Sequence, residues 1–301
     1  MTAPMTPPPA APAPQHQAQA AGQPYWPGQA PAGGYVSPIP VRRATLGDAI
    51  AAEWTKIKSL RSTMWTLGTM LVVVIGIGTL IALVTYNVAD DADFGEDSQI
   101  LGMGFVGILL GMIPLLTLGV LTISSEYGTG LIRTTLTACP SRGRVLGAKA
   151  IVFFALTFVL TLVATTLVAL LDAGLLADRT PNGVGGSEWV KATLGVSGYV
   201  AALGLLSLAV GALLRHSAGA ITTMLGLVLL PPLLSLFMMA ESVRPIGKAL
   251  ATYSIPSQLA VFYGAELGDD GPTGWTPLWI VLGVTAVALG GAYAAMTKRD
   301  A

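Results

Sequence analysis

ISSEYGTGLIRTTLTACPSRGRVLGAKAI, residues Ile123–Ile151, is a polar, glycine-broken, basic island between two long uncharged apolar runs. A run of about 20 apolar residues is long enough to cross a bilayer as a helix. The island therefore reads as a connector between two membrane spans, and the chain as an all-α integral membrane protein. Within it, Ser124, Ser125, Glu126 and Tyr127 end one span, and Gly128-Thr129-Gly130 frees the backbone to turn. Leu131–Leu136 is predicted to form a short helix lying across the membrane surface, closed by Pro140 and Gly143. Arg142, Arg144 and Lys149 then lead into the next span, as positive anchors.

The composition agrees with this reading. Apolar residues make up 53% of the 301 and charged residues 11%, with a mean hydropathy of +0.68. A soluble domain carries about 25% charged residues. Outward from the island, six apolar segments are predicted to span, at about 66–86, 100–123, 150–171, 192–214, 218–240 and 277–297, none with an Asp, Glu, Lys or Arg inside these limits.

The connectors orient them. Arg42, Arg43, Lys56, Lys58 and Arg61 precede the first span, whereas Asp90, Asp91, Asp93, Glu96 and Asp97 follow it with no basic residue. Along the chain, one alternating set of connectors holds twelve of the sixteen Lys and Arg residues. Positive connectors stay cytosolic, so both termini and the island are expected to face the cytoplasm, in a multi-pass protein of the plasma membrane.

The flanks differ in character. Met1–Pro40 holds eleven of the twenty prolines, no acidic or basic residue, and no apolar h-region of the kind a secretory leader needs. Residues 1–43 are read as a disordered cytosolic tail, and residues 44–301 as the membrane domain. Thr45 and Asp48 form a capping-box start. Leu46, Ile50, Trp54, Ile57, Leu60 and Met64 then recur at helical spacing among Glu53, Lys56, Lys58 and Arg61. Such a basic, Trp-bearing amphipathic helix is expected to lie in the membrane interface. Before the last span, LATYSIPSQLAVFYG is apolar, broken by Pro256, and too short to cross, so two short re-entrant or surface helices are expected there.

Gly107 and Gly111 in the second span, and Ala286, Gly290 and Ala294 in the sixth, are small-residue stripes suited to close helix packing. Pro114 marks a kink in the second span, and Pro231-Pro232 irregular backbone in the fifth.

The residues of chemistry are sparse. There are two histidines, His16 and His216, and one cysteine, Cys139. No GxxxxGK[ST] phosphate loop occurs. No catalytic residue, cofactor or metal site is therefore expected, and no basic surface for nucleic acid. A secondary transporter usually carries ionisable residues within its spans, and none falls inside the limits given above. The energy is expected to come from a separate polypeptide. An ion-coupled secondary transporter and a non-transporting membrane scaffold are the alternatives.

EWTKIKSLRSTMWT before the first span, SSEYGTGLIRTTL after the second and SRGRVLGAKAIV into the third together resemble the permease subunits of ABC-2 type transporters, in the actinobacterial style. The resemblance runs from Thr45 to the C-terminus. It implies an interfacial helix, six spans and re-entrant helices before the sixth. It also implies two paired permeases, identical or homologous, above two cytosolic ABC ATPase subunits. The connector after the second span would carry the coupling helix, placing Glu126, Tyr127, Gly128, Thr129, Gly130, Arg133 and Thr134 at the ATPase. The interfacial helix, with Glu53, Lys56 and Lys58, would touch the ATPase beside it, and spans one, two and five would move. An aromatic content of 7% departs from the aromatic-rich channels of that family's polysaccharide exporters, and favours export of a small amphiphilic or lipid-like substrate.

Overall fold

The computed structural model describes residues 44–88, 100–177, 183–238, 240–265 and 271–298. The predicted tail and the acidic connector after the first span lie outside these residues. All regular structure among the described residues is helical.

Helix α1 (Leu46–Ser59) begins as the sequence indicates. The Thr45 backbone N–H donates to Asp48 Oδ2 at 2.8 Å, and the Asp48 N–H donates to Thr45 Oγ1 at 3.3 Å. It ends earlier than the apolar periodicity suggests. Leu60 is extended, and Arg61 already belongs to α2 (Arg61–Val88). A 3₁₀ segment, Ile100–Gly104, leads into α3 (Phe105–Thr129), followed by α4 (Leu131–Ala138) and α5 (Arg142–Leu175). Helix α6 (Gly186–Val190) runs through a π-turn, Lys191–Gly195, into α7 (Val196–Leu214). Helix α8 (Ser217–Phe237), the short α9 (Arg244–Thr252) and α10 (Ile255–Ala260), and α11 (Thr276–Lys298) complete the order.

Among the described residues, six stretches are long and apolar enough to cross a membrane: Arg61–Val88, Ile100–Thr129, Arg142–Leu175, Gly186–Leu214, Ser217–Phe237 and Thr276–Lys298. The count is as predicted, but most run past the predicted limits. Helix α5 spans 34 residues, about 50 Å of axis at 1.5 Å per residue. The longer helices take in Glu126, Arg142, Arg144, Lys149, Asp172 and Lys191, so these spans do contain charge.

Helix α7 is the hub. Its small residues, among them Ala201, Ala202, Gly204, Ser207, Ala209 and Ala212, are buried against α3, α5, α8 and α11. Hydrophobic drive is weak between helices in lipid, so close van der Waals approach carries the packing. Gly119 shows how close: a Cβ there would lie 2.8 Å from the Gly204 carbonyl oxygen and 2.0 Å from Ser207 Oγ. The Gly107/Gly111 stripe is likewise a real seam, because a Cβ at Gly107 would sit 2.6 Å from the Val74 carbonyl oxygen on α2.

The second small-residue stripe does not pack inside the bundle. Ala286, Gly290 and Ala294 lie on the exposed side of α11, and its buried residues are Pro277, Val281, Thr285, Ala292 and Met296. Nor do the prolines break their helices. Helix α3 continues through Pro114, and α8 through Pro231 and Pro232. A hydroxyl one turn on takes a carbonyl beside each site: Thr117 Oγ1 donates to Ile113 O at 3.0 Å, and Ser235 Oγ to Pro232 O at 2.6 Å. The break before the last span falls at Tyr253-Ser254, and Pro256 sits in the first turn of α10, which Ser254 caps.

An alanine at Gly107 pushes a methyl into the α2 backbone, and overpacking of this kind costs roughly 1–3 kcal/mol. Gly107→Ala is expected to lower the thermal stability of the detergent-purified chain. Gly290→Ala, with nothing within 4 Å of the added Cβ, is expected to leave it unchanged. Fluorescence-detected size exclusion after heating measures both.

Candidate functional site

Helices α1, α3 and α5 meet at a group of four charges, three of them buried and the fourth, Lys56, partly exposed. Lys149, on the second turn of α5, is 1% exposed. Its ammonium donates to Glu53 Oε2 at 2.8 Å and to Glu126 Oε1 at 2.6 Å. Lys56 completes the ring, donating to Glu53 Oε1 and to Glu126 Oε1, both at 2.9 Å. Two carboxylates thus face two ammoniums. An isolated buried charge would be costly, but a neutral, hydrogen-bonded set of this geometry is tolerated. Burial alone would lower the Lys56 pKa. The hydrogen bonds and charges of Glu53 and Glu126 outweigh it and hold the pKa above the ordinary 10.5. With the folded value raised, the contribution of Lys56 is full at neutral pH and is lost only as pH climbs past that value.

The same ring reaches the island helix. Lys56 Nζ lies 3.5 Å from Thr135 Oγ1 on α4. Helix α4 starts where Gly130 takes the left-handed conformation, φ 75°, which favours glycine. Gly128 and Thr129 are still helical and belong to α3. Ile132 buries the inner side of α4, while Leu131, Arg133, Thr134 and Thr137 are exposed.

The neighbouring bases also tie helix ends together. The Arg144 guanidinium donates to the Ala44 carbonyl before α1, and Arg142 donates to the Met296 carbonyl near the end of α11. Arg215, at the end of α7, stacks its guanidinium 4.7 Å from the centre of the Tyr127 ring on α3, a cation–π contact. Lys58 lies 5.6 Å from the centre of the Trp54 ring, on the exposed side of α1.

The site therefore regroups the residues singled out in the sequence. Arg133 and Thr134 stand on an exposed helix face, as a docking role requires. Glu126 and Glu53 do not: both are buried in the ring, so neither presents a carboxylate to a soluble partner. Lys149 is no membrane anchor but the centre of the ring. Arg61 lies on α2, outside the site. The sequence reading missed Lys149 because its partners are 96 and 23 residues away. The available signal was a lone base on the second turn of an apolar helix.

A second polar line runs along the buried side of α5. Lys149, Thr157, Thr161, Thr165 and Asp172 all face inward on that helix. Thr165 Oγ1 lies 3.4 Å from Ser197 Oγ on α7. Asp172, one residue beyond the predicted span limit, is 0% exposed, and neither carboxyl oxygen has a hydrogen-bond partner among the described residues.

In comparison with known proteins, a family model described as ABC-2 family transporter protein matches residues 49–230, more than half of the chain. The match runs from α1 into α8, and so contains all four members of the ring. No curated protein matches the chain.

Removing one member of the ring strands its partners. Lys149→Met is expected to destabilise the chain by about 3 kcal/mol, the usual cost of leaving a buried charge unpaired. Lys149→Met combined with Glu126→Gln is expected to cost less than the two single changes together. Denaturant titration of the purified chain in micelles, run as a double-mutant cycle, measures both.

Proposed function

This chain belongs to the ABC-2 transporter family, and from that premise we propose that a cytosolic ATPase docks on the exposed face of α4 and drives the membrane helices through the buried charge ring. The family is a membrane transport component rather than a catalyst, and its members work with an ABC ATPase. The chain is accordingly a multi-pass membrane permease. The finer reading is ours. The protein exports a small amphiphilic or lipid-like substrate across the plasma membrane, pairs with an identical or homologous permease, and works with two ATPase copies. Both termini are cytoplasmic.

One observation carries the coupling proposal. Helix α4 offers Arg133 and Thr134 outward while its inner side is tied, by way of Lys56, to a ring that joins α1, α3 and α5. A push on α4 meets charges that cannot separate cheaply, so it moves helices rather than stretching contacts. In this reading Arg133 and Thr134 are the contact. Glu53, Lys56, Glu126 and Lys149 are the linkage behind it, and Tyr127, held by Arg215, brings in α7. Exposed Trp54 and Lys58 on α1 lie at the membrane surface beside the ATPase.

Asp172 changes one premise of the sequence reading, since a span does hold an ionisable residue. Family membership, rather than a lack of such residues, is what now favours ATP as the energy source over an ion gradient.

Reversing the charge on the α4 surface, Arg133→Glu with Thr134→Glu, is expected to cut co-purified ATPase by about tenfold or more, as truncating a docking hot spot does, while the chain itself stays folded. Undiminished recovery of the ATPase would remove α4 as the docking element. Topology is tested separately in a Cys139→Ser background. Glu96→Cys is expected to react with a membrane-impermeant maleimide on intact cells, and Lys58→Cys only after permeabilisation. The opposite pattern would invert the orientation.

A further inference from the structure

Helices α7 and α8 are joined by two residues, and the first of them holds an unfavourable conformation. Leu214 ends α7 and Ser217 begins α8. Between them Arg215 is left-handed, with φ 53° and ψ 16°, the one non-glycine residue of positive φ among those described. Glycine is the usual residue where a helix ends this way, and Gly130 fills that role at the end of α3. A larger residue in this region stores backbone strain and persists only where the surrounding contacts over-determine it. The contact that uses the Arg215 side chain is Tyr127, whose ring centre lies 4.7 Å from the guanidinium.

Tyr127 stands three residues before the glycine that separates α3 from α4. Its carbonyl oxygen accepts from the N–H of that glycine, Gly130, at 3.3 Å. On the other side, the Arg215 N–H donates to the Gly211 carbonyl at 3.0 Å. A Cβ at Gly211 would lie 2.8 Å from the Val120 carbonyl oxygen of α3, so the last turn of α7 is seated against that helix. His216 then fastens the start of α8. Its Nδ1 accepts from the Gly219 N–H, and its carbonyl from the Ala220 N–H, both at 3.0 Å. Helix α8 has few other holds on the bundle. Of its 21 residues, Ala220, Met224 and Val228 are the buried ones. At a spacing of four they form one narrow line, so the position of the first turn is set by Arg215-His216.

We propose that Arg215 is a positioning residue: its strained backbone keeps the guanidinium on Tyr127, so that a displacement at the start of α4 is carried into α8 as well as into the charge ring. The proposal rests on docking at α4 and extends the route to a span outside the ring. It accounts for an arginine at a position that favours glycine. Glycine would relax the turn but sever Tyr127 from α8. An arginine that merely ended the helix would respond to replacement by glycine in the same way whatever stood at position 127.

Two measurements test this. The first is a cycle of melting temperatures on the full chain in nanodiscs. Arg215→Gly is expected to change the melting temperature little, because the lost contact offsets the relieved strain. In a Tyr127→Leu background the same change is expected to raise it, since there only strain is removed. Equal effects in the two backgrounds would overturn the link between strain and contact. The second uses the complex with its ATPase, in a Cys139→Ser background. A bimane label on Leu227→Cys, exposed midway along α8, is expected to shift its emission when ATP and vanadate are added. The shift is expected to shrink by about fivefold or more in Arg215→Gly and in Tyr127→Leu, and to persist in Tyr127→Phe, which keeps the ring face. An undiminished shift in Arg215→Gly overturns the proposal, as does the lack of a shift in the parent. If Tyr127→Leu fails to fold, Arg215→Gly set against Tyr127→Phe still decides. Recovery of the ATPase is scored in each variant, so a failure of docking on α4 is seen apart from a failure of the α8 response.

Discussion

A lysine ammonium sealed from water, as Lys149 is, persists only where anions reach it, and this constrains three helices at once. Glu53 comes from the helix that precedes the spans, Glu126 from the end of α3, and Lys149 from the start of α5. Lys56 balances the second negative charge. No single helix can leave without exposing or stranding a charge, and stranding one costs several kcal/mol. The interfacial helix is therefore joined to the bundle through its acidic residue, although its periodic apolar residues would suggest otherwise. Of those, Ile57 packs inward, while Leu46, Trp54 and Leu60 are exposed.

The ring also explains why α4 can be so short. Eight residues would be a marginal helix alone. Here α4 is continuous with α3 through one glycine in the left-handed conformation, pinned by Ile132, and approached by Lys56. A short rigid element fixed to a charge ring transmits displacement better than a long flexible loop. The surrounding contacts extend the same logic: Arg142 brings in α11, Arg144 the start of α1, and Arg215 the end of α7.

Helix count and the capping of α1 were legible in the sequence because each depends on local composition or spacing. The Gly107/Gly111 seam was legible for the same reason. Which face of a helix turns inward was not. The stripe of Ala286, Gly290 and Ala294 has the pattern of a seam, yet it lies on the outside of α11, since the bundle meets that helix at Val281, Thr285, Ala292 and Met296. Pro231 and Pro232 read as a break, but a span in lipid keeps its remaining backbone bonds and runs on. The family resemblance placed Glu126 at a surface contact. Its true neighbours come from α1 and α5, and no spacing within the island encodes them.

Helix α5 gathers these themes along one face. Lys149 and Asp172 are 23 residues apart on its buried side, about 35 Å of axis, close to the thickness of a hydrocarbon core. Thr157, Thr161 and Thr165 lie between them. The two charged ends are treated in opposite ways. The basic end is matched by two carboxylates and locked, whereas the acidic end has no donor among the described residues. Stability alone would match both ends or neither. A locked end suits the place where force enters, because it must not yield.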